Sequence, residues 1–181
     1  LVDDRPLAAP VGHGRHTYHN YSRTHYGPLP LRHALGNSLN TPAVRTIGFV
    51  EVKHFLNCLR TLGINSLHQH PDHYGEGLAL GNGEITLLEL VGAYTVLANR
   101  GIYRPLKTIM AKDGRGHRGK QVFSPETTSL IGSILSDPNA RRLEFGRGSL
   151  LRFPVQTAVK TGTSSDYRDA WAVGYNDRFT V

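Results

Sequence analysis

The chain has 181 residues, 39% hydrophobic and 19% charged, a balance that fits one globular domain and excludes a disordered polar chain. Lys plus Arg number 21 against 14 Asp plus Glu, a net charge of +7. The basic residues are scattered, with no run beyond Arg141 and Arg142, so no nucleic-acid partner is expected. The lone Cys58 excludes an intrachain disulfide, and no apolar run reaches the roughly 18 residues of a membrane-spanning helix.

Residues 1–30 are punctuated by Pro6, Pro10, Gly12, Gly14, Gly27, Pro28 and Pro30 and have no helical period, which predicts an extended loop tacked down by Tyr18, Tyr21 and Tyr26. A helical part follows over 31–101. Leu31, Ala34 and Leu35 share one helical face, and the segment stops at the polar turn Gly36-Asn37-Ser38-Leu39-Asn40. Thr41 can cap a second helix with Pro42 at its first position. Val52, Phe55, Leu56, Leu59 and Leu62 then form the apolar stripe of a third, ended by Gly63.

The loop bearing His68, His70 and His73 is broken by Pro71 and is read as polar scaffold, with no metal site and no cofactor expected. Thr86 and Glu89 form a capping box ahead of Leu87, Leu90, Val91, Tyr94 and Leu97, and Gly101 closes that helix. Residues 102–154 are read as a hairpin, a helix and a loop. The hairpin joins Leu106 to Ala111 with Gln121 to Phe123 around Asp113-Gly114. Ser124 and Pro125 open the helix, which stops at Asp137 and Pro138; the rest reads as irregular.

Residues 155–181 read as sheet. A strand from Val155 to Thr161 and another from Ala170 to Tyr175 are followed by an Asn176-Asp177 turn and a third strand at Phe179 that runs to Val181. Trp171 reads as core or cleft wall, and of the two is assigned to the core. The order of elements predicts an α+β fold with no internal repeat.

Two short strings carry chemistry. In Lys160-Thr161-Gly162-Thr163, an ammonium beside hydroxyls and a close-approaching glycine can hold a carboxylate and receive a substrate backbone in β fashion. In Ser38-Leu39-Asn40, a hydroxyl can relay a proton while an amide binds a peptide group. Each alone is bland, since Ser and Asn are ordinary turn residues. Together they match two of the three motifs of penicillin-recognising serine enzymes.

Over Pro30 to Val44, Leu78 to Leu97 and Val159 to Tyr175 the sequence resembles the transpeptidase domain of class A penicillin-binding proteins. The resemblance implies the α+β fold shared with serine β-lactamases, here in part. It further implies a serine acyltransferase acting on peptidoglycan stem peptides ending in D-Ala-D-Ala, and acylation by β-lactam antibiotics. By the same resemblance Ser38, Asn40 and Lys160 are candidate catalytic residues and Thr161, Gly162 and Thr163 candidate substrate-binding residues. The Thr163 N–H would serve as an oxyanion donor. The parent protein would be a membrane-anchored, bifunctional synthase on the periplasmic side.

No Ser-x-x-Lys occurs between Leu1 and Val181. The family's nucleophile is therefore expected upstream, and this chain alone is expected not to acylate. Two other readings stand beside the synthase: a non-catalytic remnant that binds cell-wall peptides or partners, and a D,D-carboxypeptidase or β-lactamase-like hydrolase. Both motifs being intact argues against the first, and the length of the resemblance argues against the second.

Overall fold

The computed structural model describes residues 1–11, 14–107, 119–163 and 169–181. Its fold is α+β: a helical layer and, among the described residues, four two-stranded ladders, the last of them forming a C-terminal sheet.

The N-terminal segment pairs rather than looping freely. Strand β1 (Val2–Asp4) runs antiparallel to β4 (Gly27–Leu29), and β2 (Leu7–Val11) to β3 (Gly14–Tyr18). The prolines and glycines that exclude a helix do not exclude two-stranded edges, where a missing N–H can face outward. Tyr18 and Leu29 are buried and Tyr21 is exposed, so two of the three tyrosines expected to anchor the segment, Tyr18 and the half-buried Tyr26, do so.

Helix α1 (Leu31–Gly36) ends in a Schellman motif, with the Leu39 N–H on the Ala34 carbonyl and the Ser38 N–H on the Leu35 carbonyl. Helix α2 (Asn40–Val50) begins before the predicted start, and Thr41 is not its cap. The Asn40 N–H donates to the Asn20 side chain at 2.8 Å, and the Thr41 hydroxyl donates to Asp4 instead. A distant side chain thus supplies the terminal acceptor that local capping was expected to supply.

Glu51, at φ +70°, separates α2 from α3 (Val52–Thr61). The predicted stripe of α3 packs into a core of Ile47, Leu56, Ile64, Leu67, Tyr74 and Leu78. Helix α4 (Pro71–Tyr74) is short, and the His70 imidazole accepts from the Asp72 N–H at its start. Helix α5 (Leu87–Ala98) carries the predicted capping box. Glu89 also accepts from the Asn65 N–H and from the N–H and hydroxyl of Ser66, and these bonds pull its carboxyl down to about 2.

The hairpin sits earlier than expected, as β5 (Ile102–Tyr103) against β6 (Lys120–Gln121). Most of its predicted first arm and the Asp113-Gly114 tip lie outside the described residues. Helix α6 (Pro125–Ser136) has Ser124 as N-cap, as read from the sequence. The stretch after it, expected to be irregular, contains a 3-10 turn (Pro138–Arg141) and α7 (Arg142–Phe145).

Strand β7 (Ala158–Thr163) pairs antiparallel with β8 (Ala170–Tyr175), and the chain then returns so that Gly174 and Val181 exchange both backbone hydrogen bonds. β7 starts three residues later than predicted. Leu135, Ala158 and Tyr175, with Leu35, Tyr94 and Ile131 against them, join the helices to this sheet. Strand alternation puts Lys160 on the same helix-facing side as Ala158. Trp171, assigned to the core, is instead 38% exposed; it pairs with Gly162, which has no side chain to pack against it across the ladder.

Candidate active site

Two elements far apart in sequence meet at this junction. The Lys160 ammonium donates to the Ser38 hydroxyl oxygen at 2.5 Å across 122 positions, and to the Thr161 carbonyl at 2.6 Å. Burial lowers Lys160 to about 8, with a smaller contribution from the positive charge of Arg141. At that value both protonation states are accessible near neutral pH. Because Ser38 accepts from Lys160, its own hydroxyl proton is left to point elsewhere.

Ser38 holds this position at φ +57°. It occupies the left-handed place of the Schellman motif, where glycine is usual. A serine there costs backbone energy and gains a hydroxyl aimed at Lys160. The motif is pinned on one side by Asn37, 2% exposed. Its side-chain N–H groups donate to the carbonyls of His33 at 2.9 Å and Ala140 at 2.7 Å, and its oxygen accepts from the Glu144 N–H at 2.9 Å. Glu144 in turn accepts from the hydroxyls of Ser22 and Tyr26.

Asn40 makes a different set of bonds. Its side-chain nitrogen donates to the His19 carbonyl at 2.7 Å, which fixes which way the amide faces; its second N–H and its oxygen are left to other partners. Thr161 is half-buried and Thr163 exposed. Strand alternation puts them on the face opposite Lys160. Among the described residues neither hydroxyl is bonded to Ser38, Asn40 or Lys160. The structure thus brings Ser38 and Lys160 into contact, places Asn40 beside them in the same turn, and lines Thr161, Gly162 and Thr163 along β7. Among the described residues no strand covers the other edge of β7, and a Cβ at Gly162 would meet nothing within 4 Å.

Sequence reasoning missed Arg141, Asn37, Asp4 and Asn20. Arg141 is 3% exposed; its guanidinium donates to the carbonyls of Leu135 and Leu151, and burial lowers its affinity for the proton. No local pattern marks such residues. The only sequence signal is the Gly36-Asn37 helix stop, which on its own means no more than punctuation.

Residues 6–178 match the family described as the penicillin binding protein transpeptidase domain. Penicillin-binding protein 1A of Neisseria meningitidis is 31% identical over 194 residues, covering 97% of this chain and 23% of that protein. Penicillin-binding protein 4 of Bacillus subtilis is 32% identical over 174 residues, covering 90% of this chain and 27% of that protein. Among solved structures, penicillin-binding protein 1A from Haemophilus influenzae superposes with a TM-score of 0.76 at 22% identity, over 96% of this chain and 32% of that one. PonA1 from Mycobacterium tuberculosis, in complex with penicillin V, superposes with a TM-score of 0.71 at 21% identity, over 97% of this chain and 51% of that one. The chain belongs to the penicillin-binding protein transpeptidase family and has its mixed α+β fold. It spans about a quarter of the length of these curated relatives, and no helix among the described residues is long and apolar enough to cross a membrane.

Proposed function

We propose that this chain is the part of a D,D-transpeptidase that carries its proton relay and substrate strand, within a periplasmic, membrane-anchored peptidoglycan synthase. The observation that carries the reading is the contact between Ser38 and Lys160. A serine of an upstream Ser-x-x-Lys attacks the carbonyl of the penultimate D-Ala of a stem peptide. The terminal D-Ala leaves as its amine, and an amine of a neighbouring strand takes the acyl group.

Within that reaction Ser38 donates its hydroxyl proton to the leaving nitrogen and is resupplied by Lys160. Asn40 binds a substrate amide. The substrate lies along the uncovered edge of β7, an edge that side chains of both strand faces can reach. Thr161 and Thr163 hold its carboxylate there, and the Thr163 N–H stabilises the oxyanion. The charges of Lys160 and Arg141 favour a carboxylate at that edge. The three resembling stretches support the penicillin-binding protein 1C branch and, with it, a glycosyltransferase domain in the parent.

The test is labelling with a fluorescent penicillin. The full-length protein is expected to be acylated and the 181-residue chain alone is not. Lys160→Ala is expected to slow acylation of the full-length protein by about a hundredfold. A full-length protein that takes up no penicillin overturns the reading in favour of a binding remnant. Release of free D-Ala without cross-linked product would mark a carboxypeptidase.

A further inference from the structure

Beneath the Ser38-Leu39-Asn40 turn lies a carboxylate that the proposed reaction does not use. Asp4, on β1, is 0% exposed. Its two oxygens accept from the Asn20 side-chain nitrogen at 2.9 Å, from the Tyr26 N–H at 2.9 Å and from the Thr41 hydroxyl. Asn20, itself 3% exposed, turns its oxygen the other way, to the Asn40 N–H at 2.8 Å.

Asp4 therefore grips the first turn of α2 at two successive residues, directly at Thr41 and through Asn20 at Asn40. The segment it orients also presents the His19 carbonyl that fixes the Asn40 side chain. His25 faces the same group, with Nδ1 3.0 Å from the Asp4 carbonyl oxygen and 3.9 Å from its carboxylate. A carboxylate this buried is costly to desolvate; two of its three donors, Asn20 and Thr41, bear on the start of α2, while the Tyr26 N–H ties it to the segment before β4.

We propose that Asp4 is a positioning residue for transpeptidation, acting through Asn20 and Thr41 to hold the Ser38-to-Asn40 turn against Lys160. The proposal rests on the function proposed above for Ser38 and Asn40. It assigns a role to the N-terminal strand, which neither motif reaches. Displacing catalytic groups by about an ångström can cost up to about a hundredfold in rate, so the carboxylate is expected to act on the rate of acylation more than on substrate affinity.

The experiment uses the full-length protein and two readouts. Stopped-flow acylation by a fluorescent penicillin separates the acylation rate constant from the dissociation constant. Hydrogen–deuterium exchange reports the backbone amides at the start of α2, including Asn40. Asp4→Asn is expected to lower the acylation rate constant by about tenfold, leave the dissociation constant within about twofold, and raise exchange at the start of α2. Helix α5 should keep its protection.

The exchanged pair Asp4→Asn with Asn20→Asp, which restores one amide and one carboxylate between the two positions, is expected to recover most of the rate. Asp3→Asn removes the same charge from the same strand, at the surface pair with Arg5 and 4.0 Å from Arg45 beyond the first turn of α2, and should change neither readout. Thr41→Val, which removes a single bond to Asp4, gives a milder form of the same effect should Asp4→Asn not fold. Unchanged exchange at the start of α2, or an acylation rate within about twofold of the parent with exchange raised, overturns the proposal. If the parent takes up no penicillin, the functional reading fails, and exchange alone decides whether Asp4 holds the turn.

Discussion

Ser38 is a serine where the backbone calls for glycine. Its φ of +57° costs on the order of 1 kcal/mol for any residue with a Cβ. Among variants without the hydroxyl, Ser38→Gly is therefore expected to be more stable than Ser38→Ala by about that amount in thermal melts; equal stabilities would mean the turn is not held left-handed. Lys160 makes a second prediction. Burial lowers it from 10.5 to about 8, so between those values the unfolded chain holds more protons than the folded one. Stability then rises with pH across that window. The melting temperature of the full-length protein should gain on that of Lys160→Met between pH 8 and 10.5, and a gap that stays constant would show Lys160 to be solvated. Both residues were legible because their motifs are local strings. Asp4, Asn20 and Arg141 were not, because each acts through a fold-dependent partner and sits in an unremarkable stretch of sequence.

At the scale of the element, the α1 turn fits closely against the 3-10 turn at Pro138–Arg141. A Cβ on Gly36 would come within 2.6 Å of the Ala140 carbonyl oxygen, so Gly36→Ala is expected to cost about 1–3 kcal/mol and to loosen the turn that carries Ser38. On β7 the expectation reverses. The space over Gly162 is open among the described residues, so Gly162→Ala should leave the melting temperature unchanged while slowing penicillin acylation, since the added methyl occupies the edge at which the substrate is proposed to lie. A fall in stability equal to that of Gly36→Ala would place Gly162 in the core instead. The helices whose ends are set by neighbouring residues, α5 with its Thr86–Glu89 box and α6 with Ser124-Pro125, were readable from the sequence. The ladders β1–β4 and β2–β3 were not: the first joins residues more than twenty positions apart, and both lie in a segment whose prolines and glycines signal only the absence of helix. The start of α2 was misjudged for a related reason, since Asn20 and Asp4 override the local cap.

Across the whole molecule, a large share of apolar side chain faces outward. Phe49 is 90% exposed, Leu150 94%, Phe179 67% and Val155 62%. An apolar groove of about 350 Å³, lined by residues including Leu151, Phe153 and Val159, lies on the sheet face away from the helices. With β7 also uncovered at one edge among the described residues, the chain expressed alone is expected to bind a hydrophobic dye and melt without a sharp transition. A cooperative melt with no dye binding would show that it is self-sufficient.

The contact between Ser38 and Lys160 also fixes an order of events. It closes a loop of 122 positions, and synthesis releases α1 to α7 before β7 exists. The helical layer is synthesised before the residue that the Ser38 turn meets, so this contact is expected to form after the helices. Under the proposed function, antibiotic uptake by the nascent protein would report that this contact has formed: a ribosome-bound chain stalled before Lys160 would carry every helix from α1 to α7 and is expected to stay unlabelled by penicillin.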